Sequence, residues 1–349
     1  MVQATVTCWR PSILNTLSPL SLMRAFLLVL ALFTPESCHA LRESSRGYAG
    51  EAYVFMIYGG ESHRVGLMTA IYNVRQFDQD RPIVVLTPES SAGMERDLGK
   101  LSATVLIRPL IPSEACEGKA GVGKGRLEAS FFKMHVWNLT QFSTVLYLES
   151  DMLIRESLDP IFKRARGMAG KEPIMIAPRG AMTCPTGDFQ AAENHNVWNT
   201  GIMAIRPSEH FAQAYLDYVA AMNKGSVLLK CEGGSQALEN VLFARVTQKR
   251  GASELFCLPP RYNCKDISCV ADAAVVHWTG EHKPWDGAKN FEYYLPDWEK
   301  MRREASESTG VRFSRRLGPL DQADATFMKM ASQLSHCHEA VLDLIRQSQ

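Results

Sequence analysis

The feature that most constrains this chain is a short run of strand-forming residues that ends abruptly in acid. Thr144, Val145, Leu146, Tyr147 and Leu148 are β-branched, aromatic or leucine. Both faces of such a strand are apolar, which predicts a parallel strand covered by helices on both sides. Glu149, Ser150 and Asp151 follow, and then Met152 and Leu153. In an extended chain residues i and i+2 share a face, so the two carboxylates should point the same way. They would stand at the carboxyl end of a central strand, where open α/β sheets place their ligands. Two aligned carboxylates make a hard, oxygen-rich site for Mn²⁺ or Mg²⁺. The plainer alternative is a strand that ends in a solvated acidic turn.

The residues upstream repeat a strand–helix rhythm. Gly50 to Tyr58 reads as an apolar strand, and Ser62 is placed to cap the next helix. Val65, Leu67, Met68, Ile71, Tyr72 and Val74 give that helix its apolar stripe. A strand over 81–87, a helix over 91–99 and a strand over 103–107 complete a β-α-β-α-β order, the signature of a parallel sheet with right-handed crossovers. Residues 111–126 interleave Gly118, Gly121, Gly123 and Gly125 with Lys119 and Lys124. This reads as a solvated loop, and it lacks the Gly-Lys-Ser/Thr ending of a P-loop. A helix is expected over 127–142, carrying the sequon Asn138, Leu139, Thr140 in a poorly accessible place.

Beyond Asp151, the pattern predicts a short helix over 158–162, strands over 172–177 and 197–205, and a long helix opened by Pro207 and Ser208. A turn at 232–236 caps a helix running to about residue 246. Strand signals return at 256–263 and 274–277. Residues 286–320 are charged and weakly patterned, and 321–347 read as a terminal amphipathic helix.

Composition serves mainly to exclude. Across 349 residues, 38 basic side chains balance 37 acidic ones, and no basic block suggests nucleic acid as a partner. The leader is distinct: Arg24, an apolar run from Ala25 to Phe33, then small residues up to Ala40. Residues 1–40 therefore read as a secretory signal cleaved after Ala40. The apolar run is shorter than the roughly 20 residues that span a bilayer. Membrane attachment is expected only if this segment stays uncleaved as an anchor. The address this predicts is the lumen of the secretory pathway, in the Golgi or endoplasmic reticulum, or secretion. Of nine cysteines, Cys257, Cys264 and Cys269 cluster, which in such a compartment favours a disulfide over a zinc site.

A second dense patch runs from His277 to Trp285 at the end of an apolar strand. His277 is a potential metal ligand. Gly280 allows close approach of backbone to a ligand. Lys283 can neutralise a phosphate, and Trp278 with Trp285 can wall a sugar. Taken with Glu149 and Asp151, these residues form a kit for a nucleoside diphosphate: a divalent ion bridging phosphate oxygens and a lysine on the leaving group.

At this point a family resemblance is visible. Lys133 through Phe142, leading into Val145 to Asp151, resembles the K-x-x-x-W-x-L…V-x-Y-L-D-A-D segment of glycosyltransferase family 8, the glycogenin-like retaining nucleotide-sugar transferases. Asn199 to Gly201, Glu232 to Gln236, Leu258 with Pro259, Tyr262 with Asn263, and His277, Gly280, Lys283 to Trp285 match in the same order. The resemblance implies a GT-A fold, an α/β architecture with a mostly parallel central sheet flanked by helices and a C-terminal helical extension. It implies a catalytic domain over 50–286 and an extension over 287–349. It also implies a UDP-sugar donor, Mn²⁺ (or Mg²⁺) held by Glu149, Asp151 and His277, and donor contacts from Lys133, Ser150, Gly280 and Lys283. Asn199, Glu232 and Gln236 would position the transferred hexose for an unidentified glycan, lipid or protein acceptor. Glu149 replaces the family's usual first aspartate. Ser235 stands where glycogenin-like enzymes carry an aspartate, so a route using that carboxylate as nucleophile fails here, and a front-face route is easier to reconcile. No tyrosine lies between Asn263 and Val275, which argues against self-glucosylation. The alternative is a catalytically inactive relative that binds UDP-sugar or glycan.

Overall fold

The computed structural model describes residues 50–58, 61–111, 130–167, 174–178, 198–224, 235–250, 255–265, 267–280, 282–286, 291–311 and 313. The expected leader, the glycine-rich loop, the irregular segment 179–196 and the terminal helix over 321–347 lie outside these residues, as does Glu232.

The opening half follows the predicted rhythm: β1 (Glu51–Met56), α1 (Glu61–Arg75), β2 (Ile83–Thr87), α2 (Ala92–Gly99) and β3 (Ala103–Ile107). Ser91 caps α2 through the Met94 amide. Helix α1 begins at Glu61, so Ser62 lies within its first turn rather than at its cap. A 3-10 helix, Phe131–Asn138, leads into β4 (Thr144–Leu148). The chain continues through β5 (Met152–Ile154), α3 (Asp159–Arg166), β6 (Ile174–Pro178), β7 (Trp198–Ile205), α4 (Glu209–Asn223), α5 (Ser235–Arg250), β8 (Leu255–Cys257), β9 (Val275–His277) and α6 (Leu295–Thr309).

The main sheet has the order β3-β2-β1-β4-β7-β6-β8. Strands β3, β2, β1 and β4 are parallel, and β7 then runs antiparallel to both β4 and β6. The expected mostly parallel sheet is thus present with one reversed strand at its centre. That reversal positions the site, because it brings the start of β7 beside the carboxyl end of β4. The two-sided burial of β4 follows the sequence: Val145 and Tyr147 face one core layer with Trp137, Met203 and Phe211. Leu146 and Leu148 face the other with Phe55, Leu67 and Ile202. Burying each such side chain stabilises the fold by about 1.5–3 kcal/mol.

Three local readings are corrected or completed. The stretch after Asp151 holds a strand, β5, which pairs antiparallel with β9 in a separate two-stranded sheet. Its register is secured from α1, where the buried Asn73 accepts the Ile154 amide at 2.6 Å. The helix expected up to residue 142 ends at Asn138, where the chain turns at Leu139. Asn138 and Thr140 are consequently exposed, and the sequon is more accessible than its pattern suggested. Finally, the weakly patterned region after 286 contains α6, closed at Gly310 with φ +69°. Its Trp298 is fully buried and packs with Val65, Trp278 and Tyr294. Few apolar residues drive this helix, but one of them is a tryptophan. Among the described residues no helix is long and apolar enough to cross a membrane.

Candidate active site

Strand β4 ends at Leu148, so Glu149 and Asp151 sit in the following turn rather than on an extended strand. They converge nonetheless. The Glu149 amide is tied to the Gly201 carbonyl of β7 at 3.0 Å, and the Asp151 carbonyl accepts the Trp278 amide after β9 at 3.0 Å. Pairing of Met152 with His277 brings the imidazole to the acids. His277 Nε2 lies 3.1 Å from Glu149 Oε2 and 3.4 Å from Asp151 Oδ1. One donor atom from each of the three residues falls within 4.8 Å of the others.

The tautomer of His277 is dictated from the backbone. The Gly201 amide donates to Asn199 Oδ1 at 3.1 Å, which fixes which end of the Asn199 amide is oxygen. Asn263 must then present Nδ2 to that oxygen, at 2.8 Å. Its Oδ1 therefore faces His277 Nδ1 at 2.7 Å, and an acceptor there requires Nδ1 to carry the proton. His277 Nε2, almost completely buried, is left with no hydrogen-bond partner among the described residues. A buried ring nitrogen that faces two carboxylates and is oriented through its other nitrogen is the donor arrangement of a metal-ligating histidine once its proton is displaced. A pair of hard carboxylate oxygens plus one imidazole fits Mn²⁺ or Mg²⁺.

Gly201 is required by this closeness. A Cβ there would lie 2.3 Å from His277 Cε1 and 3.0 Å from Glu149 Oε2. The other end of the Asn199 amide donates to Gln236 Oε1 at 3.3 Å, and the Thr200 amide reaches the same oxygen at 3.3 Å. Asn199 and Gln236 thus form one locked amide pair beside the acids.

Lys133 is buried beneath this layer. Its Nζ donates to Glu149 Oε1 at 3.0 Å and to Thr200 O and Oγ1, each at 3.1 Å. Lys283 bonds Asp151 and the Trp278 carbonyl. Ser150 is half-buried between the two acids, and Gly280 has φ +91° with open space around its Cβ position. Trp278 does not wall a sugar, because it is fully buried in the small core under α6. Trp285 is half-buried against Gly66, whose added Cβ would strike its ring.

The charges are set by opposing effects. Burial pushes Glu149 up, but Lys133 and then His277 pull it well below the usual carboxylate range. Burial likewise raises Asp151, and Lys283 with His277 brings it down to about 2. His277 loses basicity to burial and regains more from Asp151 and Glu149, so it ends above its ordinary value. Lys133 stays charged, because Glu149 and Glu239 outweigh its burial.

Sequence reasoning gave no role to four residues that complete the site: Thr200, Gly201, Asn263 and Glu239. Glu239 lies on α5 one turn beyond Gln236 and is fully buried beside Lys133 and Thr200. Burial lifts its carboxyl to about 7, against the opposing pull of Lys133 and the Thr200 hydroxyl. The available signal was an acid inside the run Ala237, Leu238, Glu239, Asn240, Val241, Leu242, Phe243, where an acid has no solvent face to occupy.

Comparison with known proteins agrees with the motif reading. Residues 119–289 match the glycosyl transferase family 8 model. That match covers just under half of the chain, and the fold is that of GT-A glycosyltransferases. Human glycogenin-1 is 24% identical over 258 residues, covering 71% of this chain and 64% of that protein. A putative UDP-glucuronate:xylan alpha-glucuronosyltransferase 3 of Arabidopsis thaliana is 22% identical over 250 residues, covering 69% of this chain and 35% of the relative. The chain thus spans under two thirds of the length of either protein. Among solved structures, the galactosyltransferase LgtC with donor and acceptor sugar analogues superposes with a TM-score of 0.50 at 14% identity, covering 72% of this chain and 95% of LgtC. That likeness concerns the fold.

Proposed function

We propose that this protein is a retaining glycosyltransferase that transfers a hexose from a UDP-sugar to a glycan, lipid or protein acceptor in the lumen of the secretory pathway, with Mn²⁺ as its cation. The observation that carries the reading is the convergence of the buried His277 Nε2 on Glu149 and Asp151. The name of one relative, a putative UDP-glucuronate:xylan alpha-glucuronosyltransferase, supports the donor class. The Cys264–Cys269 disulfide is consistent with a lumenal address.

Glu149, Asp151 and His277 would hold the cation, which when bound neutralises charge on the departing diphosphate. The chain's own residues do the rest. Lys283 and the left-handed turn at Gly280 would stand on the diphosphate side. Asn199 and Gln236 present an oriented amide pair to the sugar, and Lys133 holds Glu149 in place from below. Because these donors are fixed before the substrate arrives, little reorganisation is needed as charge develops.

The test is a panel of UDP-sugars scored by UDP release with Mn²⁺, for wild type and for Asp151→Asn. Turnover of one donor that Asp151→Asn abolishes supports the reading. UDP binding without turnover of any donor would assign the protein as a sugar-nucleotide-binding relative instead. Absence of both binding and turnover refutes the donor assignment.

A further inference from the structure

The cation arm and the sugar arm of the site meet at one side chain, Asn263. It is buried, with 2% of its surface exposed, and spends both ends of its amide inside the site. Its Oδ1 takes the His277 Nδ1 proton at 2.7 Å. Its Nδ2 donates to Asn199 Oδ1 at 2.8 Å, and Asn199 in turn donates to Gln236. The segment carrying Asn263 is held from behind. Cys264 forms an isolated parallel bridge with Val276, its amide donates to the Val275 carbonyl at 2.9 Å, and its carbonyl accepts the His277 amide at 2.8 Å. Cys264 is fully buried and closes a disulfide to Cys269 five residues on, which pins the same turn.

We propose that Asn263 is a positioning residue that couples the cation ligand His277 to the sugar-side amide Asn199, and that the Cys264–Cys269 disulfide keeps it in register. The proposal rests on His277 being a cation ligand. It adds that one amide serves two arms with two different atoms, so the arms can be separated chemically. The oxygen end sets which ring nitrogen of His277 is free, the kind of outer contact whose loss typically costs 10–100-fold in metal affinity. The nitrogen end orients Asn199 and does not touch the imidazole. The disulfide acts at one remove, by restricting the turn from which Asn263 projects.

The experiment measures Mn²⁺ binding by calorimetry, with and without UDP, and the KM for the turned-over UDP-sugar. It compares wild type with Asn263→Ala, Asn263→Asp and the pair Cys264→Ser with Cys269→Ser. Asn263→Ala should weaken Mn²⁺ binding by about 10–100-fold. Asn263→Asp keeps an acceptor for His277 and loses the donor to Asn199. It should bind Mn²⁺ at least as tightly as wild type while its KM for the UDP-sugar rises, and UDP itself should bind as before. A merely structural role would move both arms together, and the near-isosteric aspartate keeps the test valid if the alanine variant fails to fold. The serine pair should weaken Mn²⁺ binding in the same direction as Asn263→Ala. Wild-type binding that Asn263→Ala leaves unchanged overturns the role of Asn263, as does a loss of Mn²⁺ affinity in Asn263→Asp equal to that in alanine. Unchanged affinity in the serine pair overturns the role of the disulfide. Failure of wild type itself to bind Mn²⁺ with UDP overturns the cation site and this inference together.

Discussion

Replacing Glu239 with glutamine should stabilise the protein, and the gain should grow as the pH rises. Glu239 is fully buried on α5, and burial lifts its carboxyl to about 7 against the pull of Lys133 and the Thr200 hydroxyl. An unfolded chain releases that proton near the ordinary glutamate value. Between roughly pH 4.3 and 7 the folded form therefore keeps a proton that the unfolded form has lost, so stability falls as the pH rises through that window. Each pH unit of the window costs about 1.4 kcal/mol, giving about 4 kcal/mol above neutrality. Glutamine has nothing to ionise and keeps the shape, although its amide leaves a buried donor short of an acceptor at about 1 kcal/mol. The variant should be near or slightly below wild type at pH 5 and about 3 kcal/mol more stable at pH 8. For a domain of this size that is a rise in Tm of roughly 6–12 °C. Thermal or urea unfolding of both proteins across pH 5–8 makes the comparison. The paired difference removes the contributions of Glu149 and Asp151, whose depressed carboxyls act at lower pH. Parallel stability curves for the two proteins would refute the reasoning.

Four further outcomes are expected. Gly201→Ala places a methyl 2.3 Å from His277 Cε1, so Mn²⁺ affinity measured by calorimetry should fall at least about tenfold. Trp298→Ala should cost about 3–5 kcal/mol in urea unfolding, because the side chain is fully buried between α6 and the small core. Mn²⁺ affinity should rise with pH through a midpoint above the ordinary imidazole value, because burial is outweighed by Asp151 and Glu149 in holding the His277 proton, and His277→Gln should flatten that profile. Expression through a secretory pathway should add a glycan at the exposed Asn138, read as a mobility shift that glycosidase removes and Asn138→Gln lacks.

The elements that local sequence determined are those whose own side chains supply the reason. Thr144 to Leu148 must be a two-sided buried strand, because apolar side chains dominate both of its faces. Strands β1 to β3, helices α1 and α2, and the acid pair after β4 follow from the same patterning. So does the expectation of a disulfide in the cysteine cluster, found between Cys264 and Cys269. His277, Lys283 and Asn199 were legible as site residues only by their type and order along the chain. Tertiary structure alone decided how they meet. The reversal of β7 brings Gly201 against Glu149, the β5–β9 pairing brings His277 to Asp151, and neither partner is within reach in sequence. The same holds for Asn263, a motif match without a role until its two ends are seen to join His277 and Asn199, and for Trp278, which its sequence context offered to a sugar and the packing of α6 claimed for the core. Period and polarity report which face a residue turns to. What stands opposite that face is set by pairing over long separations, which no local pattern carries.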